Sequence, residues 1–268
     1  MKKIDRMVEF MRKEKVKVCS LKRVKEDIFL LGLKSPYLAK NSLPGQFLHI
    51  KINKQSLVLR RPLSIHRVEK GITYVLFKVR GEGTRFLSRL RKGSTLNIIG
   101  PLGRGFNFQF SISNFQFPVI LVAGGIGVAP LLFLAQRLRG GKVWVFLGAK
   151  SKEEILCRKD FQKLGGQVFI ATEDGSLGFK GKLTHLLKEK LSTISYRPLT
   201  KMYACGPVDM FLEISKILKK YPQIDCQISF EQFMGCGIGV CRGCVIKTKQ
   251  GFKRVCREGP VFNIKEVF

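Results

Sequence analysis

Cys236, Cys241 and Cys244 stand in a C-x4-C-x2-C array near the C-terminus, and Cys256 follows after a short basic stretch. This is the spacing of a plant-type [2Fe-2S] site, where four thiolates converge on two bridged irons, three from one tight loop and the fourth from a returning strand. Gly235, Gly237, Gly239 and Gly243 suit such a loop. Without a Cβ they reach positive φ and can turn amide N–H groups toward the sulfurs. A four-cysteine structural zinc site and two disulfides are the other chemistries open to these residues. Zinc ribbons more often carry two C-x2-C knuckles, and in this tail the Cys241/Cys244 pair alone has that spacing.

Two earlier stretches could hold a phosphate-bearing ligand. Arg60-Arg61-Pro62-Leu63-Ser64 sets a guanidinium and a hydroxyl around a proline that fixes the backbone, a cradle for a pyrophosphate and a ring edge. Gly81-Glu82-Gly83-Thr84 opens the helical stretch RFLSRL, so that amides at a helix N-terminus can face phosphate. As bare patterns the first is also a common strand end and the second a common turn. The glycines of Gly100-Pro101-Leu102-Gly103-Arg104-Gly105-Phe106 suggest a backbone passing close to something flat.

Further along, the buried run VILVA leads through Gly124-Gly125-Ile126-Gly127-Val128-Ala129-Pro130 into a helix. Strand, glycine turn and helix are the parts of a nucleotide-binding crossover, although the turn is not G-x-G-x-x-G. Thr172-Glu173-Asp174-Gly175 and Cys205-Gly206-Pro207 occupy two other strand ends, where ligands of parallel sheets sit. Taken alone, Cys205 reads as a small buried hydrophobe. Lys150 and Lys152 follow the second strand, where a ribose 2′-substituent would lie, and Glu153 and Glu154 come next. NAD and NADP are both open on these residues. His49, His66 and His185 do not cluster with cysteine or carboxylate, and each reads as a surface or capping residue. No Ser/His/Asp set and no H-E-x-x-H stands in the chain, so hydrolysis has no visible machinery and no catalytic residue is assigned.

The elements that must position these groups fall into two patterns. From about Val16 to Ile112, KVKVCSLKRV, DIFLLGLK, GQFLHIKI, LSIHRV, TYVLFKVR and TLNIIGP are short apolar or alternating runs punctuated by Pro and Gly. They predict a small antiparallel β-barrel. After Phe117-Pro118, strands VILVAGG, KVWVFLGA, QVFIATED and KMYACGP alternate with helices LLFLAQRLR, KEEILCRKDFQKL, GKLTHLLKEKL and VDMFLEISKILKKY, which predicts a parallel sheet flanked by helices. The expected fold is multi-domain β plus α/β: a basic extension over 1–15, a barrel over 16–114, a nucleotide-binding α/β domain over 115–222 and a cluster subdomain over 223–268.

The chain's 268 residues suffice for two cores. Its net charge of +30 comes from 49 basic and 19 acidic residues spread along the whole length, which reads as solvated surface rather than a nucleic-acid patch, and favours acidic partners. No apolar run suits export or a membrane span, and the cysteines outside the tail, Cys19, Cys157, Cys205 and Cys226, show no pairing pattern. A soluble protein of the reducing cytoplasm is expected.

The order of parts resembles the ferredoxin reductase superfamily, and within it the electron-transfer subunits of class B dihydroorotate dehydrogenase. The resemblance covers nearly everything after Val16 and rests on RRPLSI, FKVRGEGT, GGIGVAP, TEDGSLG, YACGP, and FEQFMGCGIGVCRGCVIKT followed by KRVCREGPVF. It implies that Arg61, Pro62, Leu63 and Ser64 contact FAD, with Leu76, Phe77 and Lys78 beside it and Gly83 and Thr84 at its pyrophosphate. Leu63 stands where the wider superfamily carries an aromatic stacked on the flavin. Gly124, Gly125, Gly127, Cys205, Gly206 and Pro207 are the residues assigned to NAD, and Cys236, Cys241, Cys244 and Cys256 the [2Fe-2S] ligands. The resemblance further implies an FMN-containing dihydroorotate dehydrogenase catalytic subunit as partner, in a heterotetramer of two of each, serving pyrimidine biosynthesis. Flavin subunits of NADH-dependent ferredoxin:NADP oxidoreductases and of sulfhydrogenases share the layout; some replace the first cluster ligand by aspartate, whereas Cys236 is kept here.

Overall fold

The structure, a computed structural model, describes residues 11–108, 118–138, 141–193 and 200–268. Most of the expected basic extension, and the expected boundary near residue 114, lie outside those residues. The chain forms two compact units: the described part of Met1–Phe106 with Glu231–Lys247 and Gly251–Val261, and the described part of Asn107–Phe230 with Thr248–Gln250 and Phe262–Phe268.

In the first unit, β1 (Arg12–Arg23), β2 (Ile28–Lys34), β3 (Phe47–Ile50), β4 (Arg61–Glu69), β5 (Ile72–Lys78) and β6 (Thr95–Leu102) close into a barrel in the order β1-β2-β5-β4-β3-β6. All its pairs are antiparallel. Period-two alternation drives this: Val16 and Val18 are buried between exposed Lys15 and Lys17. Closure removes the edge strands and leaves Leu31, Leu33, Leu48, Ile50, Ile65, Val75, Leu96 and Ile98 as a dry core. Burying each such side chain contributes roughly 1.5–3 kcal/mol. Helix α1 (Pro36–Asn41) is capped by Ser35, whose Oγ accepts from the Leu38 amide at 3.1 Å and donates to Glu14 at 2.6 Å. Helix α2 (Glu82–Leu87) follows β5.

The tail joins this unit beside Gly100–Phe106. The Arg104 amide donates to the Gly259 carbonyl at 2.5 Å, and Gly103, at φ 80, leaves no room for a side chain against Pro260. Gly105 likewise lies against the Pro44 carbonyl. Those glycines admit neighbouring backbone, which accounts for them without the flat object the sequence suggested.

In the second unit, β7 (Val119–Gly124), β8 (Val143–Ala149), β9 (Gln167–Thr172), β10 (Phe179–Lys180), β11 (Lys201–Cys205), β12 (Asp225–Ser229) and β15 (Val261–Asn263) form a sheet in the order β10-β9-β8-β7-β11-β12-β15. The β7 to β12 pairings are parallel. Connecting helices are α3 (Val128–Arg137), α4 (Arg158–Lys163), α5 (Leu183–Ser192) and α6 (Val208–Leu218), with α7 (Ile264–Val267) at the end. Helix α3 packs on β7 and β11 and is buried from Val128 to Ala135, so its sequence is apolar on every face. The helix expected over 152–164 is broken. A 3-10 turn spans Lys152–Glu154, and Cys157 at φ 57 resets the chain before α4. The Lys152 amide is tied to Ser176 Oγ at 2.8 Å, while Leu156 is buried at the break, so tertiary contacts override the helical pattern. Strands β13 (Val245–Thr248) and β14 (Gly251–Arg254) make a separate two-stranded hairpin, apart from the barrel and the parallel sheet, between the third and fourth tail cysteines. Among the described residues no helix is long and apolar enough to cross a membrane.

Candidate redox site

The tail folds the four cysteines into two pairs. Val240 and Cys241 amides donate to Cys236 Sγ at 3.3 and 3.4 Å, and the Cys236 amide donates to Cys241 Sγ at 3.5 Å. The Gly243 amide reaches Cys241 Sγ at 3.4 Å, and the Cys256 amide reaches Cys244 Sγ at 3.4 Å. The sulfurs divide two and two, the division in which each iron of a two-iron cluster would take two cysteines, while among the described residues no three His, Cys, Asp or Glu side chains gather into a group able to hold a metal ion. Burial alone would raise the Cys236 thiol, but hydrogen bonds from Cys241, Ile238 and Val240 outweigh it and bring it down to about 6. Burial and the neighbouring Cys244 push Cys256 up to about 12. All eight cysteines are free thiols.

Gly237 and Gly239 adopt the left-handed φ values expected of the loop, 71 and 89. Gly235 is tight for another reason, since a Cβ there would approach Cys241 Sγ at 3.2 Å, whereas one on Gly243 would make ordinary contact with it at 3.6 Å. The loop is clamped from behind by Arg254, whose Nη1 donates to the Gly239 carbonyl at 2.7 Å while its other nitrogens grip Glu258. The Arg254 guanidinium accordingly holds the Glu258 carboxyl below its usual range.

On the barrel, Arg61, Pro62, Leu63 and Ser64 open β4 as a half-buried ribbon. The Arg61 guanidinium lies so close over Gly83 that a Cβ there would overlap its Nε. R-P-L-S and G-E-G-T, twenty residues apart in sequence, therefore share one surface. Arg60 turns away and donates to the Asn97 carbonyl at 3.0 Å and to Asn97 Oδ1 at 2.6 Å, fastening β4 to β6. Thr84 caps α2, accepting from the Arg80 and Gly81 amides at 2.9 and 3.2 Å, so its hydroxyl serves the turn itself. The Leu76 and Phe77 side chains are buried in the barrel, Phe77 stacked on Phe29, while Lys78 pairs with Asp27 at 3.1 Å.

In the second unit, chain order reverses between β7 and β11, since β8, β9 and β10 extend one way and β12 the other. Crevices at such switch points are where doubly wound sheets bind dinucleotides. The turn Gly124-Gly125-Ile126-Gly127 and the turn Cys205-Gly206-Pro207 meet there. A Cβ on Gly127 would overlap the Cys205 carbonyl oxygen, and one on Gly124 would come within 2.8 Å of Pro207. Cys205 itself is buried. At the neighbouring strand ends the Glu173 and Asp174 amides donate to Ala149 and Lys150 carbonyls, both at 3.1 Å, and Asp174 Oδ1 accepts from Ser176 Oγ at 2.6 Å. That ties the Lys150–Glu154 segment to the T-E-D-G turn.

Comparison with known proteins places this geometry. The model described as the iron-sulfur cluster binding domain of dihydroorotate dehydrogenase B matches residues 231–268, and the oxidoreductase NAD-binding domain matches 121–216. The chain is 41% identical over 255 residues to the dihydroorotate dehydrogenase B (NAD(+)) electron transfer subunit of Desulforamulus reducens, covering 92% of this chain and 94% of that one. To the protein of the same name from Caldanaerobacter subterraneus it is 38% identical, over 95% and 98%. The chain belongs to this family of dihydroorotate dehydrogenase B electron transfer subunits. The solved structure of an NADH-dependent reduced ferredoxin-NADP oxidoreductase is similar at TM-score 0.81 and 27% identity, over 94% of this chain and 89% of that chain. A ferredoxin NADP+ reductase from Neisseria gonorrhoeae, at 16% identity and TM-score 0.64 over 81% and 99%, shares the fold.

Within this family member, two histidines depart from the sequence expectation. His49 and His66 are buried, and His185 alone is exposed. Burial and the nearby Arg60 charge lower His49 to about 4, which keeps its imidazole neutral near pH 7. Nothing in a lone histidine marks this; the signal was the unbroken apolar company of Phe47, Leu48 and Ile50 around it. Arg254 and Glu258 also went unassigned, although an Arg four residues before a Glu on either side of Cys256 is a visible pairing pattern.

Proposed function

We propose that this chain relays electrons between an FMN-containing dihydroorotate dehydrogenase catalytic subunit, with which it forms a heterotetramer of two of each, and NAD. The reading assigns FAD to Arg61, Pro62, Leu63 and Ser64 on β4, with Leu76, Phe77 and Lys78 beside it and Gly83 and Thr84 at its pyrophosphate. It assigns the [2Fe-2S] cluster to Cys236, Cys241, Cys244 and Cys256, and NAD to Gly124, Gly125, Gly127, Cys205, Gly206 and Pro207. In it, residues 16–114 carry FAD, 115–222 carry NAD and 223–268 carry the cluster, with β12 and β15 of that last span built into the nucleotide-binding sheet. FAD supplies what neither neighbour can, exchange of a hydride with nicotinamide and of single electrons with an iron–sulfur centre.

The chain's own residues bind, orient and screen. Arg61 presents a fixed guanidinium, the loop amides stabilise thiolate charge, and the glycine turns let a dinucleotide approach bare backbone. The observation that carries the reading is the paired cysteines with their amide donors, folded into the same compact unit as the R-P-L-S strand. Docking of the partner at the cluster loop is supported by Phe233 and Val240, 91% and 76% exposed, on the segment that holds exposed Cys241. Eight free thiols support a reducing cytoplasm. Co-expression with the candidate catalytic subunit from the same source tests the proposal. Dihydroorotate-dependent NAD reduction is expected, and a complex that instead needs ferredoxin would refute it.

A further inference from the structure

His49 occupies an expensive position. It lies on β3 opposite Pro62 of the R-P-L-S strand and Ile99 of β6, and it is fully buried between Leu48 and Ile50. Its carbonyl accepts from Arg60 Nη1 at 3.3 Å. Its ring reaches the cluster loop: a Cβ on Gly237 would overlap Nδ1 and come within 2.9 Å of Cε1. Neither Nδ1 nor Nε2 has a hydrogen-bond partner of good geometry, yet the backbones of Cys236 and Arg60 are its polar neighbours. A leucine would fill this core without stranding two polar atoms, so packing alone does not explain an imidazole here.

We propose that His49 is a positioning residue that seats the cluster loop on the flavin strand, its ring bonding the Cys236–Gly237 backbone and thereby setting the potential of the cluster. The proposal rests on the cluster reading above. A neutral imidazole offers one N–H and one lone pair, and outer-shell hydrogen bonds of this kind are a main lever on iron–sulfur potentials. Gly237 is then required twice, for its left-handed φ and for the space the ring occupies. The same ring touches the backbone of one proposed cluster ligand and sits in register with the proline of the flavin motif, so it fixes one site against the other within a single unit.

The test uses the full chain, purified without oxygen, as wild type, His49→Leu and His49→Asn, with iron and FAD content measured beside an EPR-monitored redox titration. Leucine keeps the bulk and removes the polarity, whereas asparagine keeps a polar group near the place of Nδ1. His49→Leu is expected to retain FAD and to shift the cluster's reduction equilibrium at least tenfold, about 59 mV for one electron. His49→Asn should shift it less. Loss of the cluster from His49→Leu alone, with FAD retained, would also support the proposal. An unchanged potential and EPR spectrum in His49→Leu would overturn it, as would loss of FAD and cluster together in both variants, which marks a packing role. Iron-free wild-type protein would overturn the cluster reading itself, a distinct result.

Discussion

Around the cluster loop the site is built from side chains: four thiols, the Arg254–Glu258 clamp and the buried His49 ring. At the β7/β11 switch point it is built from their absence, with Gly124, Gly127 and Gly206 bringing two turns into direct backbone contact. A thiolate pair is crippled when one sulfur is lost, because the iron loses a soft anionic ligand placed to hold it. A glycine turn fails when anything is added. The two units should therefore be separable by mutation, one by deletion and the other by addition.

The largest effect is expected from Cys241→Ser, which removes one thiolate of a pair and should abolish bound iron while FAD stays near one per chain. Iron and flavin assays check it, and parallel loss of FAD would break the separation. Next comes Gly127→Ala. Its Cβ would overlap the Cys205 carbonyl, and overpacking of this kind costs about 1–3 kcal/mol. NADH should then reduce bound FAD much more slowly, by stopped-flow absorbance, while the cluster's EPR signal is retained.

Arg61→Ala should weaken FAD by about 1.5–3 kcal/mol, the range for hydrogen bonds to charged groups, read by flavin titration of the apoprotein. Unchanged affinity would move the flavin elsewhere. The smallest effect belongs to Lys150 and Lys152, which are exposed. Replacing both by glutamine should alter the NADPH-to-NADH ratio of kcat/KM only a few-fold, since exposed charges are worth about 0.2–1 kcal/mol.

The six barrel strands were legible because alternation of apolar and polar residues is a local signal, and the cluster because its ligand spacing is nearly contiguous. The meeting of Arg61 with Gly83, and of Gly127 with Cys205, was legible only as separate motifs. Their contact depends on how strands pair, which short-range patterns do not encode. The break at Cys157 and the contact of His49 with the cluster loop were hidden for the same reason: in each case a distant segment, the T-E-D-G turn or the cluster loop, decides the outcome.

The central claim is that electrons cross this chain by way of the paired cysteines. The direct measurement is dihydroorotate-driven NAD reduction by the co-expressed complex, wild type against Cys241→Ser, with NADH reduction of bound FAD followed in the same samples. The account predicts that the variant loses the dihydroorotate-driven rate and keeps the NADH-to-FAD step. A cluster-free variant that still carries electrons from dihydroorotate to NAD at the wild-type rate would contradict it.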